Sequence, residues 1–381
     1  MESIDVAVIG RGLIGAAAAR HLAERGQRTA LVGPPEPAER ARSTGPFSSH
    51  GDEGRITRIA GRSMTWTRLA TRSIARYADI EERSGIRFHD PRGAAVSMAD
   101  LDPWLDSGLV FGSNVHRVDR DGLRSATGIH LTNGHPVAYE GAPAGLINPR
   151  RLVTAQTDLA EAAGALVVPH VAALERRESG FEVSGPWGSV RAASVLVATG
   201  AFGRDLLEPV LDLERRPRTV LMAEVGNVGP LPSLIVADPP DERLEECYWV
   251  PPVRYPDGRI YLKIGGNLRS HPLFGTDDEL VSWFQGAGDP NEIEALEQSL
   301  RSLLPDAEIG ETDTAPCVIT GTASGYPYIG WVDDGVAVAI GGNGSSAKSS
   351  DELGRLASLL FDGDSWDSAY DAALFKPQYS A

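Results

Sequence analysis

The chain has 381 residues, more than one hydrophobic core usually holds, and its composition of 42% hydrophobic and 23% charged residues is that of an ordinary globular protein. A formal net charge of −16 argues against nucleic acid and anionic membrane surfaces as partners. No apolar run approaches the ~20 residues that span a bilayer. The acidic N-terminus, unlike a signal peptide, and two distant cysteines, Cys247 and Cys317, predict a cytoplasmic protein without a disulfide. No metal site is predicted.

The N-terminal segment predicts a buried strand, a tight turn and a helix. Residues 6–9 are apolar and mostly β-branched, and Gly10, Gly12 and Gly15 follow in G-x-G-x-x-G spacing. In a dinucleotide-binding turn these glycines serve the bend, the close approach of a pyrophosphate and the packing of helix on strand. Gly26 ends the helix. We therefore predict a dinucleotide site, the alternative being a glycine turn used only for packing.

One position departs from that pattern. The second strand, residues 29–32, should end in an acid that holds the adenosine ribose, but Gly33 stands there. Glu36 is the nearest acid and is a candidate replacement from the following loop.

The next elements alternate between two kinds. Residues 36–60 form a long polar connection that carries His50, Arg55 and Arg58, and residues 64–84 have the apolar spacing of an amphipathic helix. Short alternating segments over 86–140 and 215–280 predict antiparallel strands. Further predicted elements are helices 150–163, 292–304 and 350–361, strands 165–168, 194–201, 259–265 and 336–340, a hairpin over 180–190, and a glycine-rich loop over 341–348.

Segments typical of a parallel α/β sheet thus occur in three blocks of the chain. Segments typical of antiparallel strands occupy the two gaps between these blocks. We predict an α/β nucleotide-binding domain of the Rossmann type from residues 1–85, 145–214 and 312–381. An interleaved antiparallel-sheet substrate domain of the α+β type is predicted from residues 86–144 and 215–311. The reactive end of the ligand should lie where the two domains meet.

Six segments form a wider pattern that covers nearly the whole chain in order. They are Gly10-x-Gly12-x-x-Gly15, residues 49–58 (SHGDEGRITR), 194–201 (SVLVATGA), 262–265 (LKIG), 315–317 (APC) and 344–348 (GSSAK).

In these segments the chain resembles the D-amino-acid-oxidase-like superfamily of flavoproteins, within it the monomeric sarcosine oxidase and N-methyltryptophan oxidase branch. The resemblance implies FAD and a p-hydroxybenzoate-hydroxylase-like pair of domains. It further implies oxidation of the C–N bond of a small secondary or cyclic α-amino acid, with the carboxylate as anchor. A hydride passes to flavin N5, and molecular oxygen then takes the electrons, so that an imine and hydrogen peroxide are formed.

The resemblance also implies residue roles. Cys317 would form a thioether to the flavin 8α-methyl; the alternative is a small buried hydrophobe. Lys263 would lie beside flavin N5 and stabilise superoxide; the alternative is a lysine at a strand edge. Arg58 and Lys348 would clamp the substrate carboxylate, the alternatives being a surface ion pair and a solvated residue at a helix start.

His50 and Arg55 would lie over the opposite flavin face and lower the pKa of the substrate amine, although a histidine in a loop is more often structural. The remaining cofactor contacts are implied by position alone. The full predicted cofactor set is Gly10, Gly12, Leu13, Ile14, Gly15, Ser43, Thr44, Ser49, His50, Val171, Thr199, Gly200, Cys317, Gly344, Ser345, Ser346, Ala347 and Lys348.

Several departures keep other functions open. Glu53-Gly54 stands where the family has one residue, Ser345-Ser346 replaces a usual histidine, and the segment after Cys317 is altered, so sarcosine itself is not predicted. The alternatives are a flavin dehydrogenase with an acceptor other than oxygen, and a catalytically silent nucleotide-binding protein. A plain NAD dehydrogenase would leave the distal motifs unexplained.

Overall fold

The computed structural model describes residues 3–37, 39–47, 50–203, 207, 210–363 and 365–380. Its strands form two large sheets and one small sheet. In chain order they are β1 (Ser3–Ile9), β2 (Thr29–Val32), β3 (Arg55–Thr57), β4 (His89–Asp90), β5 (Ala94–Ser97), β6 (His116–Val118), β7 (Val137–Glu140), β8 (Gly145–Ile147), β9 (Leu166–Val168), β10 (Ala173–Arg176), β11 (Phe181–Gly185), β12 (Gly188–Val197), β13 (Leu213–Gly226), β14 (Ser233–Ala237), β15 (Leu244–Arg254), β16 (Ile260–Leu268), β17 (Glu308–Thr322), β18 (Tyr328–Asp333) and β19 (Val336–Ile340).

Helices pack against both large sheets. The α-helices are α1 (Leu13–Glu24), α2 (Met64–Ser84), α3 (Asp102–Val110), α4 (Arg120–Thr127), α5 (Pro149–Ala162), α6 (Asp277–Gln285), α7 (Pro290–Leu303) and α8 (Ser350–Leu359). Short 3₁₀ turns lie at Arg40–Arg42, Gly200–Gly203, Ala347–Ser349 and Ala372–Phe375.

The first large sheet has a parallel centre in the order β9-β2-β1-β12-β19. Antiparallel strands extend it, with β11 and β10 beside β12 and with β18 beside β19. The central residues Val8, Leu31, Leu196 and Val338 are inaccessible to solvent, as a sheet covered on both faces requires. This arrangement confirms the α/β fold class and the Rossmann-type sheet.

Helices α1 and α8 pack closely against each other on this sheet. A Cβ on Gly354 of α8 would lie 2.6 Å from the Cβ of Ala17 and from the backbone nitrogen of Ala18 on α1. The alanine-rich sequence of α1 permits that approach, since small side chains bring helix axes together. Helix α8 and the turn before it are thereby held at the carboxyl edge of the sheet.

The second large sheet runs β17-β13-β16-β15-β14-β5-β7-β6 and is antiparallel except for the β14–β5 pair. One face packs against α7, where Trp249, Leu262 and Ile264 meet Leu296 and Leu300. Strand residues alternate between faces, so Tyr248 and Lys263 point to the other side. That other face meets the first sheet and carries half of the site described below.

Three local predictions need correction. The strand predicted over 194–201 and the outer strand of the predicted hairpin are one strand, β12, because it pairs first with β11 and then with β1. Helices α3 and α4 lie within residues 86–140, where the sequence predicts strands. Their glycines, Gly108 and Gly122, mask the helical pattern, although Asp119 caps α4 by accepting a bond from the Gly122 N–H.

The two-domain division stays a prediction that sheet membership supports. Its boundaries at 214/215 and 311/312 fall inside β13 and β17, which pair with each other from Leu213–Thr322 to Gly226–Glu308. Within the described ranges no helix combines the length and apolarity that a membrane crossing would require.

Candidate active site

A cavity of about 480 Å³ opens at the carboxyl ends of three parallel strands of the first sheet. The turns after β1, β12 and β19 all line it, with residues 10–14, 198–202 and 341–348 respectively. Ligands of open α/β sheets bind in this crevice outside the carboxyl ends of the strands. The cavity continues onto the second sheet, so both sheets contribute to one site.

The glycines of the turn after β1 have two different roles. A Cβ on Gly10, whose φ is 116°, would lie 2.3 Å from the carbonyl oxygen of Ala198, and one on Gly15 would lie 1.9 Å from that of Gly10. A Cβ on Gly12 would meet nothing within 4 Å. Gly10 and Gly15 are therefore needed for packing, while Gly12 leaves open space before the uncapped N-terminus of α1.

A pair of alanine variants should separate these two roles. Gly12→Ala should leave the unfolding temperature of the apoprotein unchanged but lower its affinity for FAD, because the added methyl projects into the open space. Gly15→Ala should destabilise the apoprotein itself by about 1–3 kcal/mol, the usual cost of overpacking. Thermal unfolding of apoprotein and FAD titration measure both effects. Equal apoprotein destabilisation in the two variants would contradict the assignment.

The missing ribose acid has a structural explanation. A Cβ on Gly33 would lie 2.6 Å from the backbone nitrogen of Arg11, so the turn leaves no room for an acidic side chain. Glu36 does not line the cavity, and its carboxylate accepts hydrogen bonds from Arg150 at 2.6 and 2.8 Å. The interpretation of Glu36 as a ribose ligand therefore has no support in the geometry.

Strand register places a polar row across the second sheet. Cys317 on β17 is paired with Arg218 on β13, the Nε of Arg218 donates to Asn267 on β16 at 2.8 Å, and Asn267 is paired with Glu246 on β15. All four side chains line the cavity. Tyr248, two residues beyond Glu246, also lines it.

The position of the Tyr248 ring requires a glycine on the neighbouring strand. A Cβ on Gly265, its cross-strand partner, would lie 2.6 Å from the Tyr248 hydroxyl oxygen. Burial raises the pKa of Tyr248, so the phenol stays protonated. It can therefore donate a hydrogen bond to a ligand in the cavity.

Lys263 is placed behind the cavity wall. Its side chain is 2% exposed, does not line the cavity, and donates to the carboxylate of Asp52 and to the carbonyl oxygen of Gly54 at 2.5 Å. Arg55 binds the same carboxylate at 3.0 Å and does line the cavity. Burial would raise the pKa of Asp52, but Lys263 and Arg55 lower it to about 2, so the carboxylate is ionised. The cation that faces the cavity here is therefore Arg55.

Arg58 and Lys348 meet at the other end of the cavity. The Arg58 guanidinium lies 4.1 Å from the Trp104 ring centroid and donates to the Ala60 carbonyl oxygen at 2.6 Å. Lys348 donates to the Ser345 carbonyl oxygen at 3.0 Å. Over the part of the chain that the structure describes, neither cation forms an ion pair within 4 Å.

Both cations are held in an environment that penalises charge. Burial, and then the charge of Arg58, hold the pKa of Lys348 well below its usual value. Burial lowers the pKa of Arg58 to about 10, against the opposing effect of Glu140 and Glu246. A half-buried guanidinium beside a buried lysine side chain favours an anion, and a carboxylate suits this pair.

Most, but not all, predicted site residues meet at this cavity. Ser49 lies outside the described residues. Residues with predicted roles that do not line the cavity are Gly15, Ser43, Thr44, Val171 and Lys263. Those that do line it are Gly10, Gly12, Leu13, Ile14, His50, Arg55, Arg58, Thr199, Gly200, Cys317, Gly344, Ser345, Ser346, Ala347 and Lys348. Their roles stay predictions.

Two orphaned polar atoms show that the cavity fits a polar ligand. The hydroxyl of Thr199 and Nδ1 of His50 are buried, line the cavity and have no hydrogen-bond partner among the described residues. Burial lowers the pKa of His50 to about 4, so the ring is neutral. With the open space at Gly12, these atoms suit a dinucleotide. The described residues contain no group of three or more carboxylate, histidine or cysteine side chains that could hold a metal ion.

Sequence reasoning missed Arg218, Glu246, Tyr248 and Asn267. A signal was available on β16, since Asn267 follows Lys263 by four residues and therefore lies on the same face. No such signal marked Arg218 or Glu246, because only the register between strands brings them to the cavity.

Comparison with known proteins agrees with this geometry. The family model described as "DAO: FAD dependent oxidoreductase" matches residues 5–360. The chain is 26% identical to monomeric sarcosine oxidase of Bacillus sp. (strain B-0618) over 225 residues, which are 56% of this chain and 55% of that protein. It thus spans about half the length of the curated relatives it matches.

Solved structures match over almost the full length. The structure of NikD, an unusual amino acid oxidase, matches with a TM-score of 0.78 and 20% identity, covering 100% of this chain and 99% of that one. L-proline dehydrogenase from P. horikoshii matches with a TM-score of 0.72 and 15% identity, covering 95% and 94%. At these identities the likeness shows the fold alone.

Proposed function

The chain belongs to the DAO family of FAD-dependent oxidoreductases, and from this membership we propose that it oxidises the C–N bond of a small secondary or cyclic α-amino acid. The observation that carries the proposal is the position of Arg58 and Lys348. The half-buried Arg58 and the buried Lys348, without an ion pair among the described residues, face the same cavity as the Gly12 turn and Cys317. A substrate carboxylate would neutralise them, which a simple amine would not do.

FAD would be held by the turns after β1, β12 and β19. When bound, it supplies the redox chemistry by accepting a hydride from the carbon next to the substrate nitrogen. The protein's part is to bind and orient the substrate. Arg58 and Lys348 anchor the carboxylate, and the Tyr248 hydroxyl donates a hydrogen bond from the sheet. The positive charges of Arg55, Arg58 and Lys348 lower the pKa of a bound amine and favour the free base that is oxidised.

The test is anaerobic reduction of the bound flavin by paired compounds with and without a carboxylate. Proline and pipecolate would be compared with pyrrolidine and piperidine, and N-methyl amino acids with the corresponding N-methylamines. We expect absorbance bleaching with carboxylate-bearing members only. Bleaching by none of the compounds, equal bleaching by both members of each pair, or a colourless protein that fails to bind FAD would contradict the proposal.

Covalent attachment of FAD through Cys317 is part of the proposal. The thiol lines the cavity, and the Trp283 indole fixes its strand by donating to the Cys317 carbonyl oxygen at 2.9 Å. Arg218, the cross-strand neighbour of Cys317, and Arg55 line the same cavity. The Sγ–C8α bond would form with loss of one hydrogen from each partner, and oxygen would take the two electrons.

Acid precipitation should therefore leave yellow colour in the protein pellet. Cys317→Ser should release all of the flavin into the supernatant, because the hydroxyl does not form the bond. Cys247→Ala is the matched control, since Cys247 is buried on the opposite face of the same sheet. Colour in the supernatant of the wild-type protein would refute covalent attachment.

A dehydrogenase is the second candidate, and the position of Lys263 favours it. A cation beside the flavin speeds the reduction of oxygen by stabilising superoxide. Here the ammonium of Lys263 is bound by Asp52 and the Gly54 carbonyl oxygen and does not line the cavity. Mixing the reduced protein with air-saturated buffer or with a quinone decides between the two. Fast reoxidation by air and formation of peroxide support the oxidase, and fast reoxidation by the quinone alone supports the dehydrogenase.

A further inference from the structure

A carboxylate stands among the cations of the cavity. Glu246 on β15 lines it beside Asn267, in the row that ends at Cys317. Neighbouring strands are ~4.8 Å apart, so the three spacings from β17 to β15 place Glu246 about 14 Å from Cys317. Glu246 therefore lies far along the sheet from the point of the proposed flavin attachment.

The carboxylate of Glu246 has no partner in the protein. Over the described residues it makes no hydrogen bond and no ion pair within 4 Å. Arg58 and Arg62 attract it and Glu245 repels it, but burial is the largest effect and raises its pKa. A half-buried carboxylate without a partner is available to a ligand that supplies a cation.

Arg58 and Glu246 form two ends of opposite sign in one cavity. They attract each other, yet remain more than 4 Å apart, with space between them. The side chains of Ile235 and Tyr248, which are cross-strand partners, line the cavity near Glu246 and offer an apolar wall. This arrangement suits a ligand with an anionic end, a short aliphatic spacer and a cationic end.

We infer that the substrate is an α-amino acid whose side chain ends in an amine or guanidine, with its carboxylate on Arg58 and Lys348 and its distal cation on Glu246. The inference rests on the proposed function and names the substrate class of that site. Glu246 is then a specificity-determining residue. The reacting nitrogen itself needs no contact with it.

The experiment compares Nα-methyl-lysine and Nα-methyl-ornithine with Nα-methyl-norleucine as reductants of the flavin under anaerobic conditions. The rate of reduction divided by the apparent dissociation constant should be about 10- to 100-fold higher for the cationic compounds, the range expected for a hydrogen bond between charged groups. Glu246→Gln should remove that preference, because it should lower this ratio for the cationic compounds far more than for Nα-methyl-norleucine. Glu245→Gln, an exposed neighbour, is the control and should keep the preference.

The possible results distinguish a failure of this inference from a failure of the proposed function. Equal losses for cationic and neutral compounds in Glu246→Gln would overturn the inference, since the carboxylate would then act on the reacting nitrogen or on the fold. A wild-type preference for Nα-methyl-norleucine would overturn the inference and leave the proposed function standing. If none of the three compounds reduces the flavin while proline or pipecolate does, the inference fails alone; if those fail as well, the proposed function fails with it.

Discussion

Arg58→Met is expected to lower kcat/KM for the amino-acid substrate by about 30- to 1000-fold, which corresponds to about 2–4 kcal/mol. The Arg58 side chain is half-buried, its proposed partner in the complex is an anion, and no carboxylate in the described chain pairs with it within 4 Å. Methionine fills a similar volume but supplies no charge. Most of the loss should appear as weaker substrate binding, because the carboxylate is bound in both the ground state and the transition state. Steady-state kinetics measure the effect.

The control for this variant is Arg62→Met. Arg62 is exposed and does not line the cavity, so its replacement should change kcat/KM by less than about threefold. Lys348→Met should behave like Arg58→Met, and Lys376→Met is its control. Arg58→Met should unfold at the same temperature as wild type. A loss of activity that accompanies a lower unfolding temperature would show that Arg58 supports the fold rather than the carboxylate.

The sequence predicted those helices and turns whose first and last residues form recognisable local patterns. Helix α2 begins after Ser63, whose side chain accepts from the Trp66 N–H, and ends at Gly85 with a φ of 70°. The three glycine-bearing turns could be placed at one site because parallel strands end at one edge of a sheet.

Such local patterns did not predict the contacts between segments that are far apart in the sequence. The ammonium of Lys263 reaches Asp52 across 211 residues, and it is held there partly by Gly54, which belongs to the segment with one extra residue. No residue of the LKIG motif indicates that its lysine is bound by Asp52 outside the cavity. Register likewise decides that Arg218 and Glu246 face the cavity.

A buried ion cluster fixes the turn that carries Lys348. Asp351, three residues later in the first turn of α8, is inaccessible to solvent. It accepts hydrogen bonds from Arg20 on α1 at 2.6 Å, from Gln156 on α5 at 3.0 Å and from Arg76 on α2. One carboxylate thus joins four helices. The Tyr77 hydroxyl adds to this by donating to the Lys348 carbonyl oxygen at 2.6 Å.

Asp351→Asn should lower the free energy of unfolding by about 3–5 kcal/mol, because it leaves Arg20, which is 3% exposed, buried without its closest anion. Burial would raise the pKa of Asp351, but His21, Arg76 and Arg20 hold it well below 3.8. A depressed pKa contributes stability that is present above the unfolded value and is lost as the pH falls. The difference between variant and wild type should therefore be constant from pH 7 to pH 5 and shrink below about pH 4.

Urea unfolding across that pH range is the measurement. Asp333→Asn is the matched control, since Asp333 is 58% exposed and its pair with Arg176 should contribute at most about 1 kcal/mol. A loss in Asp351→Asn no larger than in Asp333→Asn would show that the surrounding helices, and not the carboxylate, hold α8 in place. A large loss that accompanies a fall in kcat/KM would instead connect the ion cluster to the position of Lys348, because α8 and the Lys348 turn move together.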